Sequence, residues 1–409
     1  MKKIELLSPV GSYESLYAAI NAGADSIYFG VEQLNMRALS SNFMTEDIKK
    51  ISRICTKYNV KKYITLNTII YDNDILLVKK ILKISKIYNI DAVIAMDNFV
   101  IEYANKLKIP VHISTQLNIT NLQALKFYSR YSDAIVLSRE LNLNQIKFIC
   151  DSIKKENIKG YSKKRIKIEI FAHGSLCMAI SGKCYLSLHS DNSSANRGAC
   201  KQNCRREYIV KDSNKNSYKI NNQYIMSSKD LLTINFLDKI INTGINIIKI
   251  EGRGKSPEYV KVVTKCYKEA IESVYNNKYT KDKINKWINR INNVYNRGFW
   301  SGYYLGQRIG EWSKKPGSIS MYKKLYIGTV INYLSKKSVM IILINSYDIK
   351  VNDYIYIIGN RIGVKIMKIK IIYDSKRVRR NIIKSGSICT IRTKFKVYKN
   401  NKIYKIIKR

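Results

Sequence analysis

The 409-residue sequence predicts an α/β fold: a TIM-like (β/α)8 barrel with a Cys-bearing insertion after strand seven, followed by a small all-β barrel domain. Three observations carry this. Short β-branched and aromatic runs alternate eight times with amphipathic stretches over about 275 residues, the count and length of such a barrel. One interval after the seventh run is stretched to about 55 residues and holds four of the eight Cys. Past residue 320 the helical period stops, and short Ile/Val/Tyr-rich runs with turn signals take over.

The runs that read as strands are 4–7, 26–29, 63–66, 92–96, 111–114, 134–137, 166–171 and 246–250. Between them, segments such as 13–22, 46–58, 75–88 and 143–154 place apolar residues at three- and four-residue spacing, the mark of a helix with one buried face. Gly23-Ala24-Asp25 and Gly244 fit helix stops just before a strand. A doubly wound open sheet is the alternative, but it usually has fewer units. The insertion spans 174–228, with the next helix expected near Lys229, and in a barrel it lies at the carboxyl-terminal face where active sites are built. Helical pattern resumes from Pro257 to about Val294, and a Gly/aromatic turn cluster covers 297–306. Lys314-Lys315-Pro316-Gly317-Ser318 reads as a linker. The expected division is therefore a barrel over 1–312, a linker over 313–320 and a β domain over 321–409.

Charge is the unusual bulk property. Lys+Arg total 73 against 30 Asp+Glu, a net of +43. Such an excess suits a polyanionic partner, although a chain crowded with Lys, Ile, Asn and Tyr also suggests general drift in composition. The distribution separates the two. Residues 321–409 carry 22 basic and 3 acidic side chains, close to three times the net charge per residue of the first 320. The densest run is Lys376-Arg377-Val378-Arg379-Arg380, a candidate RNA-backbone contact with a solvated β-turn as the plainer alternative. No apolar run reaches 18 residues, so no membrane partner is expected, and the amino terminus lacks a signal-peptide pattern. The expected compartment is the cytoplasm, where Cys serve as thiols or metal ligands.

Cys177, Cys184, Cys200 and Cys204 form a C-x6-C-x15-C-x3-C set. Thiolates favour zinc or iron–sulfur centres. Zinc sites pair ligands closely on both sides, and here only the second pair is close, which leans toward a 4Fe–4S cluster with zinc as the alternative. Cys55, Cys150, Cys266 and Cys389 fall in helix or strand patterns and read as small core residues.

The segment from Glu169 through His173-Gly174-Ser175-Leu176-Cys177 and Ser181-Gly182-Lys183-Cys184 to Ser187 closely resembles the signature of the peptidase U32 family. Matching blocks surround it in order. They are Glu5 to Gly11, Ser138-Arg139-Glu140-Leu141, Arg197 to Cys200 with Cys204-Arg205-Arg206, Met226 to Leu231, Lys249 to Arg253, and Asn296 to Phe299. The resemblance implies one of several activities. Some members are collagenase-like proteases. Others hydroxylate the tRNA wobble uridine to 5-hydroxyuridine, ribosomal RNA cytidine or ubiquinone precursors. The tRNA branch is linked to prephenate, and the hydroxylating members carry an iron–sulfur cluster. By resemblance the cluster falls to Cys177, Cys184, Cys200 and Cys204.

The expected function is an enzyme of tRNA wobble-uridine hydroxylation, iron–sulfur dependent and linked to prephenate, with tRNA as partner. A U32-type peptidase or a hydroxylase of another substrate is the alternative. The chain has no His-Glu-x-x-His, and its three His are His112, His173 and His189. His173, Glu5, Gln116, Arg139, Glu140, Glu251 and Arg253 fall at or near strand positions from which side chains reach a barrel-top substrate. Arg139 and Arg253 suit a carboxylate or phosphate, while Arg139/Glu140 and Glu251/Arg253 also offer local ion pairs.

Overall fold

A computed structural model describes residues 3–32, 34–40, 42–214, 217–218, 224–307 and 309–409. Seven parallel strands follow one another around a barrel: β1 (Glu5–Val10), β2 (Ser26–Gly30), β3 (Lys61–Leu66), β4 (Ala92–Ala95), β5 (Val111–Ile113), β6 (Ala134–Val136) and β7 (Lys167–Gly174). A two-stranded hairpin, β8 (Val210–Lys211) with β9 (Ser217–Tyr218), belongs to the insertion. Next come β10 (Asp230–Leu232) and β11 (Ile247–Ile250). β11 pairs in parallel with both β7 and β1 and closes the eight-stranded ring. The eight barrel strands coincide with the eight alternating runs of the sequence.

The helices wrap the ring. They are α1 (Tyr13–Asn21), α2 (Asp47–Lys57), α3 (Ile75–Ile87), α4 (Asn98–Lys106), α5 (Leu122–Ser129) and α6 (Leu143–Lys155), then the short α7 (Leu186–Asp191) inside the insertion, α8 (Leu237–Asn242), α9 (Pro257–Tyr275) and α10 (Lys281–Asn292). In α2, Ile48, Ile51, Ser52 and Cys55 are buried, one turn apart on a single stripe. Cys55, Cys150, Cys266 and Cys389 are all buried, as small core residues should be. Among the described residues no helix is long and apolar enough to cross a membrane.

One expectation fails here. Lys229-Asp230 does not start a helix. Asp230 opens β10, which runs antiparallel to the end of β7 with Leu232 opposite His173 and parallel to the short β12 (Phe299–Trp300). A buried ladder partner on each side holds this three-residue run extended, and the following helix starts only at Leu237.

Leu7, Tyr28, Tyr63, Ala92, Ile94, Ala134 and Ile247 fill the barrel interior. A charged network stands among them. Lys249 Nζ lies 2.7 Å from Glu169, whose other oxygen is 3.2 Å from His112 Nδ1. Glu169 is fully enclosed. Burial would raise its carboxyl, but Lys249 and His112 reverse this and hold it at about 2.

The second domain is an antiparallel sheet around its own apolar core of Ile327, Val330, Ile342, Ile355, Ile391 and Ile403 among others. Its strands are β13 (Tyr322–Leu334), β14 (Val339–Ile344), β15 (Ile349–Lys350), β16 (Tyr354–Gly359), β17 (Gly363–Lys368), β18 (Ile372–Asp374), β19 (Arg379–Arg380), β20 (Ile382–Ile383), β21 (Ile388–Arg392) and β22 (Lys402–Lys408). The main sheet runs β17-β16-β22-β13-β14-β21-β18-β19, and β15 pairs with β20. Its β17 end docks on the barrel. Ala18 of α1 packs with Tyr356, Ile358 and Val364. Asn21 Nδ2 donates to the Ile362 carbonyl at 3.2 Å, and Lys261 Nζ donates to the Val364 carbonyl at 2.8 Å.

Candidate active site

The carboxyl ends of the barrel strands converge on a small cavity of about 80 Å³. Arg37, Arg139, Lys249 and Arg253 bring positive charge to its wall, against the single carboxylate of Glu251. Thr65, Asn67, Ser114 and Gln116 add hydroxyl and amide groups, and Cys177 and Gly182 of the insertion close one side. Alternation explains part of this set. Lys249 and Glu251 follow Ile247 at two-residue steps, so all three share the inward face.

Glu251 takes its salt bridge from Arg37, at 2.8 Å, not from its neighbour Arg253. It also accepts from the Ser175 amide at 3.2 Å. Burial would raise the Glu251 carboxyl, but Arg37, Lys255 and Arg139 outweigh burial and hold it at about 2. Arg253 is buried and donates to Asn35 Oδ1 at 2.9 Å and Thr65 Oγ1 at 2.7 Å. Burial lowers its guanidinium to about 10. Arg139 lies over the Phe171 ring, 4.1 Å from its centroid, and donates to the Ser175 carbonyl at 3.1 Å. Its buried Nε has no hydrogen-bond partner among the described atoms. A guanidinium with a donor to spare, beside further cations, has the charge to receive an anion, and its planar geometry matches a carboxylate.

Gln116, Arg139, Glu251 and Arg253 are thus brought together as the sequence suggests, while three expected residues stand elsewhere. Glu5 is the first residue of β1 and lies at the opposite, amino-terminal end of the barrel. It pairs there with Lys61 at 2.5 Å and accepts from Tyr63 Oη at 2.5 Å. A strand's first residue cannot reach the face built from strand ends. Glu140 is exposed, bonded to the Ser138 hydroxyl, and does not line the cavity. His173 is buried but faces the helix layer. In the β7–β11 ladder, Lys249 pairs with Phe171 and Ile250 with His173, so Ala172 is an extra residue. This bulge breaks the two-residue alternation and turns His173 away from the cavity that Phe171 faces. Its ring sits among Tyr259, Tyr267 and Phe299 at centroid distances of 5.5–5.9 Å. Burial pushes it down to about 3.

The sequence reading passed over Arg37 and Lys249. Arg37 lies in the irregular segment after β2, which has no periodicity to read. Lys249 was legible, since it sits two residues before Glu251 on one strand.

The insertion lies across the barrel top. Arg197 reaches the Ile69 carbonyl at 2.7 Å, and Arg205 reaches the Leu176 carbonyl at 2.8 Å. At Gly198 (φ +84°) an added Cβ would stand 2.1 Å from the Asn35 carbonyl oxygen, so only glycine allows this approach. Cys177 is exposed, and Cys184, Cys200 and Cys204 are half-buried. Burial raises the Cys204 thiol, and the Cys177, Cys200 and Cys184 sulfurs raise it further, so the four share one neighbourhood. Among the described residues no three His, Cys, Asp or Glu close around a point that would hold a metal ion. Four thiols of one insertion in one neighbourhood are a donor set that suits a soft metal, zinc or an iron–sulfur centre.

Lys376, Arg377, Arg379 and Arg380 form the β18–β19 turn. The Lys376 and Val378 amides both donate to Asp374 Oδ1 at 2.9 Å, and Arg380 pairs with Asp374 at 2.9 Å. This hairpin ends the sheet opposite to the docked strand β17.

A closed (β/α)8 barrel with a cationic pocket at its carboxyl-terminal face, roofed by a four-thiol insertion, defines a barrel enzyme. The chain matches peptidase family U32 over residues 11–314 and belongs to that family. It is 50% identical over 408 residues to a protein of Porphyromonas gingivalis named collagenase, covering 99% of this chain and 98% of that one. It is 31% identical to the tRNA hydroxylation protein P1 of Bacillus subtilis, covering 81% and 78%. It is 34% identical to the 23S rRNA 5-hydroxycytidine C2501 synthase of Escherichia coli, covering 66% of this chain and 40% of that one.

Proposed function

We propose that this protein hydroxylates the wobble uridine of tRNA to 5-hydroxyuridine, using a 4Fe–4S cluster held by Cys177, Cys184, Cys200 and Cys204 and prephenate as a small cosubstrate. The observation that carries this reading is the shared wall of one cavity. Arg37, Arg139, Lys249 and Arg253 line it, and so does Cys177 of the thiol set. Prephenate is a dicarboxylate, and the spare Arg139 donor with the Arg253 guanidinium suits a carboxylate. Asn67 and Gln116 offer both amide donors and acceptors, which a uracil edge requires. At about 80 Å³ the cavity holds one small group. The segments carrying Arg37 and Cys177 to Gly182 therefore have to part to admit a base beside an acid. When bound, the cluster would supply one-electron chemistry next to that pocket. A cytoplasmic location follows from a tRNA substrate.

The collagenase name of a relative at 50% identity supports peptidase activity instead. The described geometry gives that reading less. His173 packs among aromatic rings, His112 bonds Glu169, and none of the three His hydrogen-bonds a Ser or Cys side chain among the described residues.

Nucleoside mass spectrometry of tRNA from cells with and without the gene is the test. Loss of 5-hydroxyuridine-type nucleosides is the expected result. Unchanged tRNA with altered rRNA cytidine, or gelatin cleavage by the purified protein, would replace the proposal. Purified without air, the protein should be brown with about four irons per chain; a colourless protein holding one zinc removes the cluster.

A further inference from the structure

A second cavity, of about 620 Å³, opens where the two domains meet. Ser12 and Glu14 at the start of α1 and Pro257 at the start of α9 form its barrel wall. The turn carrying Arg361 and the turn carrying Lys399 to Lys402 form the other. Both helices begin at the carboxyl ends of their strands, so the cleft opens on the same side as the barrel mouth. Arg253 lines the mouth and Pro257 lines the cleft. Four residues of chain span at most about 14 Å, so the two openings are neighbours.

The cleft's charge is built and left unspent. Lys324 pairs with Glu258 at 2.8 Å, but Arg361, Lys399 and Lys402 are exposed and have no carboxylate partner among the described residues. Glu14 is the one acid on the wall. The turns that present these cations are fixed. Tyr398 N donates to Asn401 Oδ1 at 2.9 Å, and Asn401 N donates back to the Tyr398 carbonyl at 3.1 Å. Asn401 then fits so closely against Gly359 that a Cβ there would stand 2.0 Å from its amide. Aromatic faces lie beneath the cations, with Arg361 over Tyr398 at 5.4 Å and Lys324 over Tyr404 at 4.8 Å. Cations beside tyrosine faces in a groove suit a single strand of nucleic acid, whose phosphates meet the charges and whose bases or sugars stack.

We propose that this interdomain cleft binds the phosphate backbone of the RNA strand whose target base enters the barrel mouth, with Arg361, Lys399 and Lys402 as the phosphate contacts. The proposal rests on the RNA reading above and assigns that RNA its path. The cleft adjoins the mouth, whereas the Lys376–Arg380 hairpin stands at the far end of the sheet and spends part of its charge on Asp374.

The test is binding of labelled tRNA to the full-length protein from about 50 to 200 mM salt, comparing wild type with R361A/K399A/K402A and R377A/R379A/R380A. Each removed phosphate contact on a single strand takes about 0.7 from the slope of log K against log salt. The cleft variant should lose about two units of slope and bind about tenfold more weakly at the upper salt, with an unchanged melting temperature. The hairpin variant should keep the wild-type slope to within about one unit. An unchanged cleft variant, or equal losses in both variants, overturns the cleft as the path. Binding of gelatin that is lost with the cleft residues gives the groove to a protein partner. Wild type that binds no tRNA removes the RNA reading itself.

Discussion

His173 is a neutral ring in a closed aromatic box, and its chemistry is that of a core residue. Its pKa drops from 6.5 to about 3 because burial disfavours the imidazolium. The unfolded chain therefore binds a proton that the folded chain refuses throughout that interval. Stability is fully present above the unfolded pKa and is lost as pH falls below it, by up to ~1.4 kcal/mol per pH unit. Glu169 and Glu251, also lowered, begin to weaken the fold only below their ordinary value of 4.5. Between about pH 5 and 6.5 the His173 contribution stands apart from theirs. Urea unfolding of wild type and His173→Asn across that range should give a steeper loss toward acid in wild type. Parallel curves would mean that the ring titrates freely and the box is open. The ring's place also shows where reading by alternation stops. One extra residue at Ala172 changes nothing in composition or hydropathy, yet it moves the only strand-end His from substrate face to helix face.

At the scale of elements, the barrel helices were legible because each buries one face at a period of 3.6 residues, as α2 does, and the strands because they are short apolar runs buried on both faces, as β3 is from Lys62 to Leu66. β10 was not, since three residues show no period and its extended form comes from two ladder partners distant in sequence. The join between domains was equally hidden, because it depends on backbone fitting backbone. Gly363 has φ +67°, and an added Cβ would stand 2.7 Å from the Ala18 amide nitrogen of α1. Gly363→Ala adds left-handed strain of roughly 1–2 kcal/mol and pushes β17 off the helix. The two domains should then separate more readily. Limited trypsin digestion would show this as faster cleavage after Lys314, whose neighbours Lys315, Pro316 and Gly317 are exposed with it. An unchanged cleavage rate would show that the apolar contact of Ala18 with Tyr356, Ile358 and Val364 holds the domains without the close fit.

At the scale of the whole molecule, charge marks the limit of what composition discloses. The excess in 321–409 marked the second domain as the basic one, and the densest run pointed to Lys376–Arg380. Density along the chain does not distinguish a cation facing solvent alone from one facing an acid. Arg380 is tied to Asp374, while Arg361, Lys399 and Lys402 lie 38 or more residues apart or in a sparse run and meet only after folding. The barrel-top cations were half legible for a related reason: Arg139 and Arg253 sit at strand ends, and Arg37 does not. The remaining positive charge acts as a body. A net of +43 in one compact shape repels itself, and that repulsion is relieved when the chain expands. Raising salt from about 10 to 150 mM shortens the screening length from about 30 to 8 Å, less than the span of a domain. The melting temperature should therefore climb steeply over that range and level off above it, as screening removes repulsion between distant lysines while short pairs such as Lys249–Glu169, enclosed from solvent, change little. Differential scanning fluorimetry in a sodium chloride series measures this directly. A melting temperature that stays flat or falls would mean that the ion pairs among the described residues, such as Arg37–Glu251 and Lys405–Asp353, outweigh the repulsion, and that the excess charge is already balanced within the folded surface.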